Sequence, residues 1–142
     1  MTPDQVRGML YGLAVGDALG VPYEFKGRGT FRCDGMAGHG THNRTAGTWS
    51  DDTAMTLATL HSLIENDWNV DPTDLLARYR NWLDAGAYTP DGEVFDCGLP
   101  CATAIRSGRG STGERSQGNG SLMRIAPLAI RHQPDEAIRA AS

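Results

Sequence analysis

Apolar residues open this chain at helical spacing, with Val6, Leu10, Leu13 and Ala14 falling on one face. Thr2-Pro3-Asp4-Gln5 reads as the start of that helix: Thr at the cap, Pro in the first turn, Gln closing a capping box. Gly8, Gly12, Gly16 and Gly20 recur at every fourth position. Each glycine costs a helix about 1 kcal/mol relative to Ala, so the bare stripe predicts a close approach by another backbone and a central position for this helix. From Val21 to Gly47 neither period 2 nor period 3.6 is present, and a long irregular loop is expected.

A second helix is predicted from about Ser50 to Glu65, carrying Leu57, Leu60, Leu63 and Ile64. A third starts at Asp71-Pro72-Thr73-Asp74, turns Leu75, Leu76, Tyr79, Trp82 and Leu83 inward, and ends at Gly86. After a loop from Tyr88 to Gly98 comes a short helix over about Pro100 to Arg106. A polar glycine-rich loop, Gly108 to Gly120, then leads to an apolar helix over Ser121–Ile130, with Pro127 kinking it or lying near its start. Pro134-Asp135-Glu136 signals one more helix, which reaches Ser142 without a cap. No segment alternates as a strand does. The expected fold class is all-α, as a single domain over residues 1–142 that forms the N-terminal portion of a longer one.

Composition narrows the function classes. The chain has 142 residues, 39% hydrophobic and 21% charged, with a net charge of −4, so an electrostatic nucleic-acid partner is not expected. No apolar run approaches membrane-spanning length, and the N-terminus has no signal-peptide pattern, which predicts a cytoplasmic protein without a membrane partner. Three cysteines, Cys33, Cys97 and Cys101, are too few and odd in number for a disulfide framework. Cys97 and Cys101 with His39 and His42 match no usual zinc-ligand spacing, so idle thiols are expected. Glycine, at 18 residues, is concentrated ahead of polar residues in loops, where backbone can approach a ligand.

Gly47-Thr48-Trp49-Ser50-Asp51-Asp52-Thr53 carries the clearest chemistry. A hydroxyl and two adjacent carboxylates stand where a loop becomes a helix. Two readings stay open on these residues alone. Ser and Asp satisfy free N–H groups and the positive end of a helix dipole. Equally, neighbouring carboxylates repel unless a cation or water separates them, and an all-oxygen donor set suits Mg²⁺ or Mn²⁺.

Further polar clusters occur at Gly16-Asp17-Ala18-Leu19-Gly20 with Glu24, at Asp96 within Val94-Phe95-Asp96-Cys97-Gly98, and at Gly118-Asn119-Gly120-Ser121-Leu122-Met123-Arg124. In this order, and above all through the Ser50-Asp51-Asp52 and Gly118–Pro127 motifs as a pair, the chain resembles the ADP-ribosylglycohydrolase family, of the dinitrogenase reductase-activating type, from about Val6 to Ile130. The resemblance implies an orthogonal all-α bundle around a binuclear Mg²⁺ or Mn²⁺ centre. It implies Ser50, Asp51 and Asp52 as metal ligands, with Ser where Thr is frequent, and Glu24 and Asp96 as catalytic carboxylates. Gly118, Asn119, Gly120 and Ser121 would face ADP-ribose, at a helix N-terminus suited to a diphosphate.

Other readings stand beside these. Glu24 is equally a solvated loop acid, and Asp96 equally the N-cap of the helix at Leu99. Asp17 is expected to organise the end of the first helix, and Arg124 to serve as a structural ion-pair partner.

The reaction implied is metal-dependent hydrolysis of the glycosidic bond between ADP-ribose and a modified protein side chain or a small conjugate. The family's Asp-x-Asp-Thr segment, which supplies the remaining ligands, is absent from these residues. The isolated chain is therefore expected to be inactive, and metal-dependent release of ADP-ribose from a modified arginine peptide would refute that. Two alternatives use the same sequence: a non-catalytic relative that binds ADP-ribose or acts structurally, and a helical interaction module.

Overall fold

The computed structural model describes residues 1–110, 112, 113 and 118–130, with Asn119 described in its backbone alone. The helix expected at Pro134 lies outside the described residues. Among those described there are four α-helices and no strand: α1 (Pro3–Gly20), α2 (Asp51–Glu65), α3 (Pro72–Ala85) and α4 (Leu99–Ser107). None is long and apolar enough to cross a membrane.

Local sequence sets most helix ends. Thr2 and Gln5 form the reciprocal capping box of α1. Asp71 accepts from the Thr73 and Asp74 amides to start α3. Gly86 ends α3 in the left-handed conformation, at φ 69°, where a Cβ would lie 2.0 Å from the Gly92 carbonyl oxygen, so only glycine fits.

The hub of the bundle is α2, which packs against α3, against α1 and against the 3₁₀ turn Ala126–Ile130. Its buried face holds Leu63, as its spacing predicts, but is otherwise mostly small and hydroxylated residues. Ala54, Met55 and Ala58 join Tyr79, Trp82 and Ile105 in the core, while Thr53, Thr56, Thr59 and Ser62 are also buried. Thr59 accounts for its own polarity: its hydroxyl bonds the Met55 carbonyl at 2.8 Å and the Tyr79 hydroxyl at 2.6 Å. Leu57 and Leu60 are half-buried, and Ile64 is exposed.

Two expectations about helices are corrected. The first helix is not central: Ala18 is its one buried residue, and among the described residues nothing comes within 4 Å of a Cβ at Gly8, Gly12, Gly16 or Gly20. Among the described residues its most buried part is the C-terminal turns, where Asp17 reaches α2. The apolar segment Ser121–Ile130 forms no α-helix either. It divides into 3₁₀ turns at Asn119–Ser121 and Ala126–Ile130, with Pro127 near the start of the second, where its missing N–H breaks the helical ladder.

The glycines give a paired stability prediction. Gly8→Ala fills open space in a helix interior and should stabilise the protein by about 0.5–1 kcal/mol. Gly86→Ala forces both a clash and a left-handed Cβ, and should destabilise it by more than 1 kcal/mol. Urea unfolding midpoints of the two variants test the opposite signs.

Candidate active site

The site begins with Asp17, in the last turns of α1. Its carboxylate accepts the Ser50 amide at 3.0 Å, the Ser50 hydroxyl at 2.7 Å, the Thr53 amide at 3.0 Å and the Thr53 hydroxyl at 2.6 Å. An acid more than thirty residues upstream therefore caps α2, and the expectation that Asp17 organises the end of its own helix is corrected. Ser50 occupies the N-cap position but makes no side-chain capping bond, because the Thr53 amide it would serve is taken by Asp17, and its own hydroxyl donates to Asp17. Its remaining capacity is as an acceptor.

With the cap supplied from outside, Asp51 and Asp52 are not needed for it. Ser50 and Asp51 are 3% and 6% exposed, and Asp52 is half-buried. Burial pushes the Asp51 carboxyl up to about 8, reinforced by the charges of Asp52 and Asp96. Burial also raises Asp52, with Asp17 and Asp96 adding to it. Among the described residues no Lys or Arg pairs with either acid.

Glu24 and Asp96 form the neighbouring wall, and the structure brings them together through His42, which the sequence reading had not placed in the site. His42 Nε2 lies 2.5 Å from Glu24 Oε2 and 3.8 Å from Asp96 Oδ1. Burial and the Asp96 side chain push Glu24 up to about 7, while the His42 bond pulls it down. Asp96 is not the cap of α4, a position held by Gly98.

Two loops are locked to make this wall. The 3₁₀ turn Gly40–His42 sits on Val21–Tyr23 so closely that a Cβ on Gly40 would lie 2.3 Å from the Pro22 carbonyl oxygen. Thr41 donates to the Glu24 carbonyl at 2.6 Å. Arg44 pairs with Glu93 and, at 3.5 Å, with Asp91, while its guanidinium stacks 4.6 Å from the Phe95 ring centroid. Trp49 Nε1 donates to the Tyr88 carbonyl at 3.0 Å. Asp96 itself sits at φ 57°, a strained conformation for a non-glycine residue that its surroundings must hold.

The Gly118–Ser121 segment reaches the site at one point. A Cβ on Gly120 would lie 3.8 Å from Cys101 Cβ, and Cys101 is close enough to Asp51 to raise it. Ser121 instead lines a cavity of about 170 Å³ with Thr59, Tyr79 and Arg124. The segment enters a three-residue 3₁₀ turn, so the expected helix dipole for a diphosphate is not there. Arg124 has no acidic partner among the described residues. It lies over the Tyr79 ring at 4.8 Å and donates to Cys101 Sγ at 3.5 Å. The Cys97 hydrogen bond and Arg124 lower the Cys101 thiol to about 6.

A buried Asp51 and half-buried Asp52 beside a half-buried Glu–His–Asp wall are an arrangement for chemistry, and comparison with known proteins says of which kind. The ADP-ribosylglycohydrolase family model matches residues 1–142. The chain belongs to the ADP-ribosylglycohydrolase family. ADP-ribosylarginine hydrolase Tri1 of Pseudomonas putida (strain GB-1) is 34% identical over 134 residues, which are 89% of this chain and 36% of that protein. ADP-ribosyl-(dinitrogen reductase) glycohydrolase of Rhodospirillum rubrum is 32% identical over 142 residues, 89% of this chain and 44% of that protein. A solved structure, an ADP-ribosylglycohydrolase-related protein complex, superposes with a TM-score of 0.71 at 33% identity, covering 94% of this chain and 46% of that one. The ADP-ribosylglycohydrolase fold expected from the motifs is thus the observed one, and the chain spans less than half the length of these relatives.

Removing the Asp17 carboxylate leaves the mostly buried donors at the start of α2 without partners. Asp17→Ala should cost about 2–4 kcal/mol, and Asp17→Asn, which keeps one acceptor oxygen, distinctly less. Denaturant titration of both variants measures the difference. Equal stability of Asp17→Ala and wild type would refute the cap.

Proposed function

We propose that this chain supplies the first wall of the catalytic centre of a hydrolase that cleaves the glycosidic bond linking ADP-ribose to a protein side chain or small conjugate. Ser50, Asp51 and Asp52 bind Mg²⁺ or Mn²⁺. The supporting observation is the Asp51–Asp52 pair, one buried and one half-buried, adjacent and without a basic partner among the described residues. Such a pair is strongly unfavourable as two anions unless a cation joins it. The donors fit a hard dication: all are oxygens, and the Ser50 hydroxyl, its hydrogen held by Asp17, has only lone pairs left to offer.

When bound, the two divalent ions expected in the complete site supply Lewis-acid polarisation and a water of lowered pKa. The protein's own residues do the rest. Asp17 fixes the start of α2, which fixes the direction in which Asp51 and Asp52 leave it. Glu24, pushed up to about 7, gains or gives up a proton near neutral pH, as a general acid–base group must. Burial raises that value most, and the neighbouring Asp96 side chain adds to it; Asp96 is proposed as the second carboxylate of the site. His42 holds both carboxylates in place. Glycosidic cleavage builds positive charge on the sugar ring, and a wall of carboxylates is suited to stabilise it. The relatives' names specify ADP-ribosylated arginine and ADP-ribosylated dinitrogen reductase; an ADP-ribosylated protein side chain is accordingly the substrate class proposed here. In this scheme the Gly118-Asn119-Gly120-Ser121 segment borders the ADP-ribose side through backbone proximity at Gly120.

Metal titration is the test. Mn²⁺ should raise the melting temperature of the wild-type chain and leave Asp51→Asn unmoved, because only the folded wild-type site binds the ion. Without metal at neutral pH, Asp51→Asn should be more stable than wild type, on the order of 1–3 kcal/mol, because Asp51, pushed up to about 8, must take up a proton on folding and the amide need not. A wild-type chain indifferent to both Mn²⁺ and Mg²⁺ would sink the reading. In the whole enzyme, release of ADP-ribose from an ADP-ribosylated arginine peptide should require the metal and fall at least a hundredfold in Asp51→Asn, about 2.7 kcal/mol of transition-state stabilisation.

A further inference from the structure

One cluster near the acid pair combines carboxylates with an imidazole. Glu24, His42 and Asp96 each present a ligand atom, and the three atoms lie within 4.8 Å of one another. They come from three separate stretches, the segment after α1, the turn Gly40–His42 and the loop before α4, so no helical repeat explains their meeting. Their side chains are 24%, 15% and 23% exposed, open enough for an ion to enter and sheltered enough to strip its water. Among the described residues His42 is the ion-pair partner of both acids. Arg44, the cation of the adjoining turn, is engaged by Asp91 and Glu93.

We propose that Glu24, His42 and Asp96 form a second cation site, selective for a transition dication of the zinc class over Mg²⁺. Two carboxylate oxygens and one neutral imidazole nitrogen are a ligand set that zinc accepts, whereas Mg²⁺ prefers oxygen throughout. A tetrahedral ion with bonds of about 2.0–2.1 Å needs ligand atoms roughly 3.3 Å apart. His42 Nε2 and Glu24 Oε2 therefore move apart from 2.5 Å, and Asp96 Oδ1 closes in from 3.8 Å. The proton of the His42–Glu24 hydrogen bond is released to solvent, and water takes the fourth position. The site rests on the geometry of three side chains. Its consequence rests on the proposed function: an ion there withdraws both proton-transfer carboxylates, so zinc inhibits while Mg²⁺ or Mn²⁺ supports activity.

The competing location for zinc is the thiol pair Cys97 and Cys101, and the experiment separates the two. The metal-stripped 142-residue chain is titrated with Zn²⁺ by calorimetry and with Co²⁺ by absorption spectroscopy. One zinc per chain is expected, with affinity lowered at least tenfold by His42→Ala and unchanged by a Cys97→Ser, Cys101→Ser double variant. The Co²⁺ spectrum should show d–d bands without intense thiolate charge transfer. His42→Gln keeps a hydrogen-bond donor beside Glu24 but no imidazole nitrogen, so it should retain the wild-type melting temperature and Mn²⁺ response while losing zinc. Absence of zinc binding, wild-type zinc affinity in His42→Gln, or a thiolate band in the wild-type Co²⁺ spectrum would each overturn the proposal. None of these outcomes alters the Mn²⁺ response of Asp51 and Asp52, so the failure of one site is distinguishable from the failure of the other.

Discussion

The carboxylate of Asp17 connects helix packing to chemistry. A helix start leaves N–H groups without partners, and a buried start must find acceptors for them. In most helices the acceptors are local, and a first turn reading Ser-Asp-Asp-Thr looks built to provide them. Here α1 inserts one anion that accepts from both amides and both hydroxyls of Ser50 and Thr53. Hydrogen bonds to a charged acceptor contribute more than neutral ones, about 1.5–3 kcal/mol each when taken singly, though four on one group do not add. The contact fixes the C-terminal end of α1 against α2, while Val6, Met9, Leu10, Leu13 and Ala14 earlier in the helix are half-buried.

A second constraint acts on the loops. The Val21–Gly47 segment has no regular pattern because its order comes from cross-links between side chains, not from backbone repetition. Arg44 reaches from it to Asp91, Glu93 and Phe95, Trp49 reaches to Tyr88, and Gly40 lets the turn settle on Pro22. These contacts close the distance between Glu24 and Asp96, which are 72 positions apart in the sequence. The left-handed backbone at Asp96 is tolerated within the same framework.

What the sequence revealed and what it concealed follow from how local each determinant is. The capping box at Thr2, the Asp71 cap and the Gly86 stop are decided within a few residues, and all three are in the structure. Leucine spacing found only part of the buried face of α2: Leu63 is buried, whereas close packing elsewhere on that face selects Ala54, Ala58 and hydroxyls with partners, such as Thr59. Pro127 decides the fate of Ser121–Ile130, which an apolar pattern alone assigns to a helix. Asp17, His42 and Arg44 gave no local sign of their roles: a lone acid, a loop histidine and a loop arginine acquire meaning only from partners dozens of residues away. Ser50, Asp51 and Asp52 were legible as a group because their chemistry, unlike their cap, is contiguous.

Asp17 and Asp51 show how two acids of one region diverge in character. Both are near the start of α2, yet the first is surrounded by four donors and the second by burial and other carboxylates. Donors favour the charged form, while burial and like charges oppose it. An anion that is fully satisfied has little affinity left for a cation, so Asp17 serves structure. An anion that is buried without donors binds a cation or a proton wherever one is offered, and among the described residues Asp51 is in that position. The hydroxyls of Ser50 and Thr53 sharpen the contrast, since each is turned toward Asp17 as a donor and so cannot neutralise Asp51. The proposed demand for a cation at this corner is thus tied to the cap itself: the Ser50 and Thr53 donors are drawn to Asp17, which leaves none of them for Asp51.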